Sequence, residues 1–163
     1  MKINYPNVEK IIKELASQNK TISFAESCTG GRLAVAFTAV SGASEVFHGS
    51  VVSYSNDIKE AWLGVTKETL QKHGAVSSHC VEEMLQGIVN MTANIKSDYA
   101  IAISGIAGPT GGTEEKPVGT VYIGILTPDN QEVFQCLFNG DREEVQEQST
   151  AFAIKKLEEV LEI

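Results

Sequence analysis

Twice in this chain a short β-rich run stops at a glycine-rich turn. Thr21-Ile22-Ser23-Phe24-Ala25 enters Glu26-Ser27-Cys28-Thr29-Gly30-Gly31, and Ala100–Ile103 enters Ser104-Gly105-Ile106-Ala107-Gly108-Pro109-Thr110-Gly111-Gly112. Around these runs, apolar residues recur at helical spacing. Val8, Ile11, Ile12 and Leu15 predict a helix over about Asn7–Gln18. Leu33, Ala34, Phe37 and Val40 predict a second, closed by Ser41-Gly42-Ala43. Val46–Ser53, β-branched and aromatic, reads as a strand. Ile58–Leu63 and Lys67–Lys72 read as helices, the latter stopped by His73-Gly74. Ser77 or Ser78 can cap a long helix to about Ile95. Val118–Thr127 and Glu132–Phe138 read as strands joined by Pro128-Asp129-Asn130, and Asp141 can cap a final helix to the C-terminus. Helices alternating with strands imply a three-layer α/β/α domain. Its sheet is expected to be mixed and mostly parallel, with the last hairpin supplying the antiparallel part.

The 163 residues suit a single domain over 1–163, and 42% apolar content excludes disorder. No apolar run approaches the roughly 20 residues that cross a bilayer. The segment MKINYPNVEKIIKEL lacks the apolar stretch of a signal peptide, so a cytoplasmic protein without membrane partners is expected. Cys28, Cys80 and Cys136 are scattered without metal spacing, so neither a disulfide framework nor a metal site is expected. A net charge of −8 argues against a nucleic-acid surface, but leaves a small anionic ligand open.

The first turn leads into a helix N-terminus, whose free N–H groups and positive dipole suit an oxyanion or a phosphate. Ser27, Cys28 and Thr29 are potential nucleophiles or donors there. Ser27 or Thr29 can equally be a plain helix cap, and Cys28 an inert buried thiol. The pattern is not the G-x-S-x-G elbow. The second turn has four glycines in nine residues, which permits close backbone approach to a ligand. It matches neither a Walker A loop nor G-x-G-x-x-G, and a plain surface loop is the alternative. Tyr54 and Lys59, in Ser53-Tyr54-Ser55-Asn56-Asp57-Ile58-Lys59, could reach a shared site at a strand end. A lysine is a base only where burial or a neighbouring cation lowers its pKa; otherwise Lys59 is a solvated helix residue. Arg142 falls in the first turn of the last helix, where the dipole disfavours a cation. It reads either as a fork for phosphate or carboxylate or as a surface salt bridge. His48, His73 and His79 show no ligand spacing.

Taken together, AESCTGG, FHGSVVSYSNDIK, LGV, HGAVS, ISGIAGPTGG, EEKPVGTVY and FNGDR resemble, in order, the CinA C-terminal-domain family, the nicotinamide-nucleotide amidases. The resemblance spans nearly the whole chain. It implies hydrolysis of the carboxamide of nicotinamide mononucleotide to nicotinate mononucleotide and ammonia, in pyridine nucleotide salvage. It implies Ser27 as nucleophile, Lys59 as base, and Tyr54 orienting the serine or sharing a proton. Ser104 would contact substrate and Arg142 would bind its phosphate. The amides of Cys28, Thr29, Gly30 and Gly31 would hold the oxyanion, and Gly105 and Gly108 would line the ligand. No cofactor or metal is implied, and a homo-oligomer is expected. Many family members carry a further N-terminal domain resembling molybdopterin-binding proteins; its pyrophosphatase activity is not expected of this sequence. Two positions depart from the family pattern. Ser104 stands where threonine is common, and Gln146 where arginine is expected. The competing readings are a non-enzymatic nucleotide-binding module that regulates a partner and, more distantly, a phosphate-ester hydrolase.

Overall fold

The computed structural model describes residues 5–163. Helix α1 (Val8–Ser17) buries Val8, Ile11, Ile12 and Leu15, the stripe its sequence spacing marks. Strand β1 (Ile22–Glu26) follows, then helix α2 (Arg32–Thr38), a short 3-10 turn (Ala43–Glu45) and strand β2 (Phe47–Val52). Helices α3 (Asn56–Leu63), α4 (Lys67–Lys72) and α5 (Ser78–Met91) lead to strand β3 (Tyr99–Gly105). Strands β4 (Thr120–Leu126) and β5 (Gln131–Leu137) precede helix α6 (Arg142–Val160). Asp141 starts α6 with a reciprocal capping box with Glu144.

Helix α5 stops at Met91, short of the expected Ile95. Met91 and Ile95 are both exposed, so burial gives the helix no reason to continue. The Thr92 hydroxyl bonds back to the carbonyls of Ile88 and Val89, competing with the next helical turn.

The strands form one five-stranded sheet in the order β2-β1-β3-β4-β5. Strand β1 pairs in parallel with both β2 and β3, whereas β3–β4 and β4–β5 are antiparallel. Four of the five strands thus point one way and β4 alone runs against them. In the β4–β5 hairpin, the Thr127 hydroxyl accepts the Asn130 amide at 2.9 Å.

Alternation along the central strands divides the core. Ile22, Phe24, Ile101, Ile103, Val121 and Ile123 face the side covered by α1, α2 and α6. Ala25, Ala100 and Ala102 face α5. These small residues bring α5 close to the sheet. At Gly124 on β4, an added Cβ would lie 2.7 Å from Val81 and 2.8 Å from Leu85. The contact between α3 and α5 is as tight: a Cβ on Gly87 would overlap the Leu63 carbonyl. Helices leave β1 and β2 toward opposite faces, so the chain parts beyond the strands' C-terminal ends. In open α/β sheets such a parting forms the ligand crevice.

Candidate active site

A cavity of about 310 Å³ opens at that edge of the sheet. Ser27 and Cys28 line it from the first turn, Ser104 to Gly108 with Thr110 and Gly111 from the second, and Ala75 and Val76 from the segment between α4 and α5. Tyr54, Asn56, Lys59 and Arg142 complete the wall. Most residues singled out in the sequence therefore converge on one space. Thr29, Gly30 and Gly31 do not line it.

Ser27 follows β1 directly and is anchored through its amide to the Ile103 carbonyl at 3.0 Å. Lys59 arrives from α3, whose start is fixed by the Ser55 hydroxyl accepting the Ile58 amide at 3.2 Å. One turn into that helix, the Lys59 side chain crosses the cavity floor. Its Nζ donates to Ser27 Oγ at 2.9 Å and to the Tyr54 carbonyl at 2.9 Å. The residue is 2% exposed. Desolvation by burial lowers its pKa from the ordinary lysine value. Charged thiolates at Cys80 and Cys28 would oppose this shift. Burial, however, pushes those thiols up to about 11 and about 12, so at neutral pH neither supplies that charge. The same shift makes Cys28 a poor nucleophile beside Ser27.

The first turn departs from expectation. Helix α2 begins only at Arg32, with Gly31 at φ 97° as its N-cap and no capping side chain on that residue. The left-handed backbone there explains the glycine. Neither Ser27 nor Thr29 caps the helix, and its first N–H groups are not free for a ligand. The Leu33 and Ala34 amides donate to the Glu26 carboxylate at 2.9 and 3.2 Å. Gly30 donates its amide to the Ser27 carbonyl at 3.0 Å. The Cys28 amide donates to no backbone carbonyl among the described residues. Of Cys28, Thr29, Gly30 and Gly31, Cys28 is the one that lines the cavity.

Tyr54 also differs. Its main-chain carbonyl, not its phenol, is the part near the serine: it lies 3.5 Å from Ser27 Oγ and accepts from Lys59 Nζ. Its phenol accepts from Arg142 Nη2 at 2.9 Å. Arg142 Nη1 donates to the Gly108 carbonyl at 2.6 Å, so the guanidinium bridges the two rims of the cavity. Gln146, one turn along α6, donates to the Cys28 carbonyl at 2.9 Å and braces the first turn. Ser104 is buried on β3 and Gly105 lies against Val121, where a Cβ would come within 2.6 Å.

Sequence reading missed Glu26, Asn56 and the Ala75–Val76 wall. A carboxylate at the end of a β-rich run was the available signal for Glu26. Ala75 and Val76 carry no chemical signature and become part of the site only through packing. Among the described residues, no group of three His, Cys, Asp or Glu side chains is arranged to hold a metal ion, and no helix is long and apolar enough to cross a membrane.

Comparison with known proteins identifies the family and the fold. The family model described as CinA C-terminal domain matches residues 4–161. The CinA-like protein of Thermotoga maritima is 47% identical over 153 residues, covering 94% of this chain and 36% of that protein. Its counterpart in Thermotoga neapolitana is 45% identical over 156 residues, covering 95% and 37% respectively. The chain thus spans about a third of the length of the curated relatives it matches. A CinA superfamily protein from Klebsiella pneumoniae superimposes with a TM-score of 0.89 at 38% identity, over 95% of each chain. The competence/damage inducible protein CihA of Agrobacterium tumefaciens superimposes with a TM-score of 0.87 at 32% identity, over 100% of each chain.

Proposed function

Because the chain belongs to the CinA C-terminal domain family, we propose that it is an amidohydrolase that converts nicotinamide mononucleotide to nicotinate mononucleotide and ammonia in pyridine nucleotide salvage. The observation that carries the reading is the 2.9 Å contact between Ser27 Oγ and Lys59 Nζ, a buried amine whose pKa is lowered.

Amide hydrolysis needs an activated nucleophile, a site for the oxyanion and a proton for the leaving nitrogen. Neutral Lys59 accepts the Ser27 proton as Oγ bonds to the carboxamide carbon. The Cys28 amide meets the oxygen on which negative charge develops. When the tetrahedral adduct collapses, the C–N bond breaks and Lys59 returns the proton to the nitrogen, which leaves as ammonia. Water then gives a proton to Lys59 and attacks the Ser27 ester. The C–Oγ bond breaks, the serine recovers its proton, and the acid is released. The Tyr54 carbonyl keeps Nζ on the serine throughout. Arg142 and the second turn, at the cavity mouth, hold the phosphate.

The test is ammonia release from nicotinamide mononucleotide by the purified protein, with a chelator control. Turnover is expected with chelator present, and Ser27→Ala should lower it by about 10³–10⁶-fold. Near-normal turnover in that variant refutes the serine mechanism. Binding without ammonia release would instead make the protein a nucleotide-binding module.

A further inference from the structure

Glu26 stands immediately before the serine and is 0% exposed. A buried carboxylate is costly unless its hydrogen bonds are complete. This one accepts from four donors: Thr29 Oγ1 at 2.9 Å, the Leu33 amide at 2.9 Å, the Ala34 amide at 3.2 Å and Ser50 Oγ at 2.6 Å. An ordinary helix start needs only one capping oxygen, commonly from Ser, Thr or Asn. The additional partners matter because of where they sit. Thr29 is in the serine's own turn, and Ser50 is on β2. Strand β2 runs on through Ser53, whose amide donates to the Glu26 carbonyl at 2.8 Å, to Tyr54, whose carbonyl holds Lys59. The carboxylate therefore joins the segment that carries Ser27 to the segment that anchors its base.

We infer that Glu26 is a positioning residue: its carboxylate locks the Ser27 turn to α2 and β2 and so fixes the separation between Ser27 Oγ and Lys59 Nζ. The inference rests on the serine–lysine reading above, but not on which amide is the substrate. Reaction geometry of this kind is steep, and a misplacement of about 1 Å can cost about 10²-fold in rate.

An alkyl fluorophosphonate tests this independently of the substrate. It forms an Oγ–P bond at an activated serine and expels fluoride, with the serine proton passing to the base. Wild-type protein is expected to label at Ser27. Glu26→Gln keeps the shape but replaces an accepting oxygen with a donor. Assayed where circular dichroism shows it folded, it should label about 10²-fold more slowly, with kcat falling in parallel and KM within about threefold of wild type. If that variant does not fold, Ser50→Ala removes one donor without touching the helix start, and should slow labelling about tenfold. A purely structural role would leave the folded fraction labelling at the wild-type rate. Labelling within about twofold of wild type, in folded Glu26→Gln or in Ser50→Ala where it is the variant used, overturns the inference. Normal wild-type labelling with no ammonia from nicotinamide mononucleotide overturns the substrate assignment and leaves the inference standing. A wild-type Ser27 that takes no label overturns both.

Discussion

Replacing Lys59 with methionine separates the chemistry of the site from its cost to the fold. Methionine nearly matches the lysine stem in a slot that is 2% exposed, but lacks Nζ and its bonds to Ser27 Oγ and the Tyr54 carbonyl. Losing those bonds costs about 0.5–1.5 kcal/mol each, so about 1–3 kcal/mol at any pH. Against this stands a penalty that only the lysine protein carries. Its amine has an unfolded pKa near 10.5 and a lower folded one, because burial disfavours the ammonium. Below the folded pKa, both states hold the proton and the whole penalty is present. Between the two pKa values the unfolded chain binds more protons, so wild-type stability rises by about 1.4 kcal/mol per pH unit. Above about 10.5 both states are neutral and the penalty is gone. Lys59→Met should therefore gain on wild type most in acid, and fall behind it by about 1–3 kcal/mol in alkali. Urea unfolding from about pH 6 to about pH 10.5 measures the gap. A gap that stays constant across that range would refute the claim that a destabilised buried amine sits beside Ser27. Ammonia release should drop by about 10²–10⁴-fold in the same variant, the span ordinarily lost with a general base.

Burial pushes the Cys28 thiol up to about 12 and the Cys80 thiol up to about 11. Iodoacetamide near pH 8 should accordingly leave amidase activity intact over an hour-scale exposure, whereas rapid inactivation with alkylation mapped to Cys28 would return that thiol to the list of nucleophiles. Gly124→Ala places a methyl group against Val81 and Leu85 on α5. It should cost about 1–3 kcal/mol, read as a lowering of Tm by about 2–12 °C in a scanning calorimeter. An unchanged Tm would mean that α5 is not seated on β4 as closely as described.

Much of the architecture is legible in the chain because local signals and burial agree. The stripe Val8, Ile11, Ile12 and Leu15 marks the buried face of α1. Asp141 followed by Glu144 marks the start of α6, where both halves of the capping box form. Ile95 shows the limit of this reasoning: it continues an apolar pattern, yet ends up exposed beyond the helix. The mixed sheet follows from the hairpin, but the strand order does not, since sequence proximity says nothing about β1 lying between β2 and β3.

The site divides along the same line. The two glycine-rich turns, the hydroxyl at Ser27 and the amine at Lys59 can be picked out from residue types, because glycine and a reactive side chain after a strand end are local features. What those groups do to one another cannot be read there. Ser27 and Lys59 are 32 residues apart, and only the parallel pairing of β1 with β2 brings them to 2.9 Å. Burial, a property of the packed whole, then lowers the lysine pKa and suppresses the neighbouring thiols. The helix end that local sequence offers to a ligand is claimed instead by Glu26. A carboxylate with no water to solvate it must take the donors within its reach, and tertiary packing alone decides which those are.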